Sequence, residues 1–112
     1  MSSDDSSAYF SICYIEVNPG KMDEAQKAFE EVAEATLNEP GAKIYRFYQT
    51  EGKNEFVSIE KFTSREAYAA HVQSDHVRAW AEKYLDSGIF AGSFKFHPLT
   101  KSGPVAGGFD RP

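Results

Sequence analysis

Three side chains in this sequence have types and positions suited to moving protons: Glu60, His71 and His76. Glu60 lies in the run Phe56-Val57-Ser58-Ile59-Glu60-Lys61-Phe62, which reads as a strand. Period-two alternation puts Phe56, Ser58, Glu60 and Phe62 on one face, so the carboxyl group sits among apolar neighbours. A carboxylate there is costly unless it is paired. Its role is either a general base with a raised pKa or a structural group that accepts hydrogen bonds from a helix or holds His71. His71 shares a helical stripe with Ala67, Tyr68 and Val72 and faces the sheet, while His76 opens the next helical piece one turn before Trp80. Imidazole titrates near neutrality, so either ring can take a phenolic or enolic proton. The alternative roles are a hydrogen-bonded core histidine for His71 and a surface residue at a helix start for His76.

Tyr14, Tyr45, Tyr48, Tyr68 and Trp80 can stack on a planar substrate or donate hydrogen bonds to it, and each can equally serve the core or an interface between subunits. Arg46 shares a face with Ile44 and Tyr48, so its charge needs a partner, either Glu60 or a substrate oxyanion. No metal is expected. The spacing of His71 and His76 is i, i+5 rather than the i, i+4 that places two ligands on one helical face, and no Cys or Asp/Glu set stands at ligand spacing nearby. His97 precedes Pro98 and belongs at an edge. No Gly-rich phosphate loop follows a strand and no Ser or Cys sits in a nucleophile motif, so neither a nucleotide cofactor nor acyl-enzyme chemistry is expected. The single cysteine, Cys13, lies between Ile12 and Tyr14 and reads as a buried, inert thiol.

The elements that must position these groups follow from the pattern. Tyr9 to Val17 is aromatic and β-branched and reads as a strand buried on both faces or nearly so, stopped by Asn18-Pro19-Gly20. Met22, Ala25, Phe29, Val32, Ala33 and Thr36 recur at helical spacing, which predicts an amphipathic helix from about residue 20 to residue 37, ended by Asn38-Glu39-Pro40-Gly41. Ala42 to Gln49 and Glu55 to Phe62 form two strands joined by a polar hairpin loop. Thr63-Ser64-Arg65-Glu66 has the form of a capping box for a second helix. Ser74 and Asp75 then break that helix and cap a new piece carrying Val77, Trp80, Ala81 and Tyr84. Ile89 to His97 reads as a closing strand, with Gly92 marking a close backbone approach.

The order strand, helix, strand, strand, helix, strand is the split βαβ, or ferredoxin-like, arrangement of an α+β domain, βαββαβ with a four-stranded antiparallel sheet. Helices cover one face and leave the other bare. A sheet apolar on both faces is relieved by packing two sheets across a two-fold axis, which predicts a homodimer. The domain is expected over residues 9–100, with flexible ends at 1–8 and 101–112.

At 112 residues the chain is one domain's worth, and its 41% hydrophobic, 14% aromatic and 26% charged composition is that of a folded soluble protein. A net charge of −5 and the absence of a basic stripe exclude a nucleic-acid partner. No apolar run approaches the length of a membrane span and the N-terminus has no signal pattern, so no membrane role and a cytoplasmic location are expected.

Several stretches together resemble the antibiotic biosynthesis monooxygenase family: Glu39-Pro40-Gly41, Ile44 to Tyr48, Phe56 to Phe62, Glu66-Ala67-Tyr68, His71 and Ser74-Asp75-His76. The likeness runs over roughly residues 10 to 98. It implies a dimeric α/β barrel with a pocket between sheet and helices, and a cofactor-free oxidation of an electron-rich aromatic such as an anthrone or a quinol. His71 or His76 would be the base, Glu60 would orient or assist, and the Tyr and Trp side chains would enclose the ring. The same fold houses isomerases, decarboxylases, haem-degrading enzymes and proteins with no known reaction. Haem-degrading relatives use an Asn on the first strand, and Tyr9 to Val17 contains none. The alternatives kept are an isomerase or decarboxylase using the same base and a non-catalytic small-ligand-binding dimer.

Overall fold

A computed structural model of the chain describes residues 7–99 and 107–112. Four strands, β1 (Tyr9–Glu16), β2 (Ala42–Gln49), β3 (Glu55–Phe62) and β4 (Lys95–Leu99), and three helices, α1 (Met22–Thr36), α2 (Arg65–Val72) and α3 (Asp75–Tyr84), follow one another as β1-α1-β2-β3-α2-α3-β4. The strands pair antiparallel in the order β2-β3-β1-β4, so β1 and β3 are the central pair and the architecture is the expected ferredoxin-like α+β fold. Most of the expected flexible ends, 1–8 and 101–112, lies outside the described residues, although Ala8 is buried and Ser7 Oγ donates to Thr63 O at 3.1 Å.

Alternation sorts the two faces of the sheet. Ser11, Cys13 and Ile15 of β1 and Phe56, Ser58, Glu60 and Phe62 of β3 are buried beneath the helices. The opposite face carries Tyr14, Ile44, Tyr48 and Ile59, each more than a third exposed in the single chain. The expectation that the first strand is buried on both faces thus holds for one face only. The helices supply a single cover, and they lie on the side of Cys13 and Ile15.

α1 lays Ala25, Ala28, Phe29 and Val32 on this core. The Trp80 indole N–H donates to Ala28 O at 2.7 Å and joins α3 to α1, so the one polar atom of that ring is satisfied while its body packs beside Phe29. Two details differ from the sequence reading. The cap of α2 is Ser64 rather than Thr63: Ser64 is extended and its Oγ accepts from the Ala67 N–H. The closing strand is also shorter than Ile89 to His97. Phe90 pairs with Val17 and Lys95 with Tyr14, so two extra residues are looped out opposite β1 between these pairs. Gly92 sits in this break at φ 151°, with nothing within 4 Å of where a Cβ would stand. It is needed for its backbone conformation, not for a close approach. Among the described residues no helix is long and apolar enough to cross a membrane.

Candidate active site

Between the sheet and the helices lies a cavity of about 530 Å³. Its floor is the central strand pair, with Cys13, Ile15, Ser58 and Glu60. Tyr45 and Phe47 of β2 form one wall, α2 and α3 roof it with Tyr68, His71, Val77 and Trp80, and the strand break at Gly92 to Phe94 borders it. The volume suits a small flat molecule.

Glu60 is fixed on the floor by the pleat of β3. It is 8% exposed and accepts a hydrogen bond from Ser58 Oγ at 2.9 Å. Burial pushes its carboxyl up to about 7, and the Ser58 hydrogen bond offsets only part of that rise. Near neutral pH it is therefore poised to give or take a proton. Burial, then the charge of Glu60, raises the Cys13 thiol to about 11, so this cysteine is a neutral lining group, as its strand position implied. The same two causes hold the phenols of Tyr45 and Tyr68 protonated, above the ordinary range.

His71 stands in the last turn of α2, buried to 4% and set at 5.1 Å, centroid to centroid, from both Tyr45 and Phe62. Its Nδ1 is 2.8 Å from Oε2 of Glu39. That same oxygen is 2.6 Å from Nε2 of His76. Burial lowers the pKa of His71 and the contact with Glu39 works against that lowering, so burial wins and the ring is neutral near pH 7. A neutral His71 that donates Nδ1–H to Glu39 keeps Nε2 as an acceptor for a molecule in the cavity.

Glu39 is placed by its neighbours. Its N–H donates to Thr36 O at 2.9 Å at the end of α1, its carbonyl accepts from Ala42 N–H at 3.1 Å, and Gly41 follows where a Cβ would stand 2.8 Å from Cβ of Ala67. Only glycine lets the loop run this close under α2. The joint between α2 and α3 is fixed by Ser74, whose hydroxyl donates to His71 O at 2.6 Å and accepts from the Val77 N–H at 3.3 Å as the cap of α3.

Of the residues singled out from the sequence, Glu60, His71, Tyr45, Tyr68 and Trp80 meet at the cavity. His76 does not line it and reaches Glu39 at its edge instead. Tyr14, Arg46 and Tyr48 lie on the far face of the sheet, because alternation that turns Tyr45 inward turns Arg46 outward. Arg46 therefore cannot neutralise Glu60. Tyr14 packs edge-on against His97 there, at 5.8 Å. Glu39 was missed: Glu39-Pro40-Gly41 reads as a helix stop, and nothing in the spacing links it to histidines more than thirty residues later. An i, i+5 spacing rules out a shared ligand face only within one continuous helix. α2 ends at Val72, and the two rings come from different helices to a shared carboxylate.

The antibiotic biosynthesis monooxygenase family matches residues 8–83, well over half of the sequence. The chain belongs to this family. Among solved structures, a protein of Nitrosomonas europaea with the provisional name of antibiotic biosynthesis monooxygenase superposes on this family member with a TM-score of 0.77 at 24% identity, covering 89% of this chain and 95% of that one. A Caulobacter crescentus protein of the same provisional name gives 0.77 at 22% identity, over 83% and 88% of the two chains. A conserved protein of Methanosarcina mazei gives 0.78 at 23% identity, over 88% and 97%. At these identities the likeness establishes the fold alone. No curated protein matches the chain.

Proposed function

We propose that this family member is a cofactor-independent monooxygenase that oxidises a small, electron-rich aromatic of the anthrone or quinol kind, with His71 as the base. The observation that carries this reading is a 530 Å³ aromatic-walled cavity onto which a buried imidazole opens with its other nitrogen tied to Glu39. His71 Nε2 takes the proton of an activated ring CH or phenol, and the neutral phenol of Tyr68 supplies a donor to the oxyanion that forms, while the Tyr45 hydroxyl is held by Thr36 and its ring walls the cavity. For an anthrone-type CH2, the resulting carbanion gives one electron to O2, the carbon radical and superoxide join, and the hydroperoxide loses water to leave C=O. One oxygen atom enters the product and the other leaves as water, so oxygen is the only oxidant needed. In this scheme Glu60, near its own pKa at neutrality, protonates the departing oxygen.

The test is oxygen uptake by metal-free, flavin-free protein given anthrones and quinols, with products identified by mass. Uptake equal to that of buffer across a broad panel defeats the proposal. Two separate proton-transfer groups, Glu60 and His71, also suit an isomerase or decarboxylase, which shuttles a proton between two substrate atoms. Product formed under strict anaerobiosis selects that second reading, because the oxygenase must stop. Should Glu60→Ala and His71→Ala weaken ligand binding and leave every measured turnover intact, the domain is a binding module.

We further propose that two copies pack through the bare face of the sheet. Its centre pairs Ile12 with Ile59 and Tyr14 with Val57, flanked by Ile44, Tyr48 and Leu99, an apolar surface that a monomer leaves in water. A single-chain mass in sedimentation equilibrium at micromolar concentration would refute this.

A further inference from the structure

We propose that Glu39, His71 and His76 form a site for one divalent first-row transition ion, zinc being the first choice, and that the occupied site silences His71. The metal-binding part stands without the oxygenase reading, and the silencing rests on it.

Three ligand atoms of the right kinds converge here. His71 Nδ1, His76 Nε2 and a Glu39 carboxylate oxygen all lie within 4.8 Å of one another. Two imidazoles and one carboxylate from three separate segments are a common protein set for zinc with an open fourth position, and the same donors suit other first-row ions. With bonds of about 2.0–2.1 Å, tetrahedral ligand atoms stand roughly 3.3 Å apart. The present N···O separations of 2.8 and 2.6 Å therefore open by about 0.5–0.7 Å, and the two ring nitrogens, within 4.8 Å of each other, close by up to about 1.5 Å through a turn of the part-exposed His76 ring, when an ion takes the place of the two shared protons. Glu39 can make that move, since it lies on the loop after α1 and not in a strand.

The surroundings fit a preorganised site. Tyr45 and Phe62 fix the ring of His71, and Ser74 locks the turn that sets the spacing between both histidines. The side chains of Glu39 and His76 are 19% and 29% exposed, which gives an ion a way in from solvent that does not cross the cavity. His71, at 5%, presents its other edge to the cavity. An ion on Nδ1 of neutral His71 requires the proton to sit on Nε2. The nitrogen that would take the substrate proton is then already occupied, so loading the site removes the base without changing the cavity.

The experiment uses untagged, EDTA-treated full-length protein titrated with Zn2+ by calorimetry and with Co2+ by visible absorption. We expect one ion per chain and Co2+ bands of four- or five-coordinate intensity. Glu39→Gln and His76→Gln each weaken binding at least about 10-fold, the lower end of what even an outer-shell loss costs a metal site. His97→Gln, on the far face, leaves it unchanged. Because the variants also break contacts of the apo protein, the imidazole 15N shifts of the unaltered chain are followed in parallel. Zn2+ must move Nδ1 of His71 and Nε2 of His76, and not the ring of His97. Absence of 1:1 binding, or binding that survives both Glu39→Gln and His76→Gln, overturns the site. Where a substrate is turned over, stoichiometric Zn2+ stops it and EDTA restores it. Full turnover by the zinc-loaded protein overturns the silencing and leaves the site standing.

Discussion

The two carboxylates that matter here, Glu60 on the sheet floor and Glu39 at the helix joint, are handled in opposite ways. Glu60 is clamped by the β3 pleat in an apolar setting where Ser58 is its hydrogen-bonding neighbour, and burial drives its affinity for a proton up to about 7. Glu39 sits on a loop, partly in water, between two imidazoles that it ties by one oxygen. The first, in the proposed reaction, stores a proton. The second is an anchor that sets which nitrogen of His71 is free. Their difference shows that the local partner and the solvent, not the residue type, decide what a carboxyl group does.

The two roles separate most directly at His71. His71→Gln should lower turnover by about 10²–10⁴-fold, the usual worth of a positioned base, in oxygen-uptake assays on protein whose near-UV dichroism is unchanged. A larger loss in Glu60→Gln than in His71→Gln would exchange the two roles.

Next in size is the pH dependence that Glu60 imposes on stability. The folded chain holds this proton up to about 7, and the unfolded chain releases it near 4.5. Between those values the folded state binds more protons, so this group's contribution to stability falls as pH rises, by about 3 kcal/mol in all. Below 4.5 both states are protonated and the effect vanishes. Glu60→Gln lacks the group, so its stability relative to the unaltered chain should rise by about 3 kcal/mol from pH 4 to pH 8, read from urea midpoints. A constant difference over that range would show that Glu60 is not buried as a lone acid.

Ser74→Ala removes the α3 cap and the tie to His71 O, and should cost about 0.5–2 kcal/mol in thermal unfolding while lowering turnover through a looser joint. Smallest of all, Arg46→Ala, on the far face and away from the cavity, should change turnover by less than about 2-fold in protein of unchanged oligomeric state. A large loss there would bring the far face into the chemistry.

Much of the floor was legible because a strand has a fixed period. Once Phe56 to Phe62 is a strand, Glu60 must share a face with Phe56, Ser58 and Phe62, and the buried side follows from which neighbours are apolar. His71 followed likewise from the stripe of Ala67 and Tyr68. The break at Gly92 was read as continuous strand because Phe90, Phe94 and Phe96 keep an even spacing across it. Alternation already sets Tyr45 and Tyr48 on opposite faces of β2, but only the register against β3 tells which of them, and whether Tyr14, faces the helices.

The amino-acid order alone determined the succession of elements, the inward face of β3 and the break between α2 and α3, because periodicity and capping are local properties of the backbone. Only the tertiary structure decided that Glu39 meets His71 and His76. That contact spans 32 residues between Glu39 and His71, and it depends on how close a loop can pass beneath a helix. No local pattern encodes that distance. It is set by the missing side chain of Gly41 against Ala67, together with the packing of α2 on the sheet.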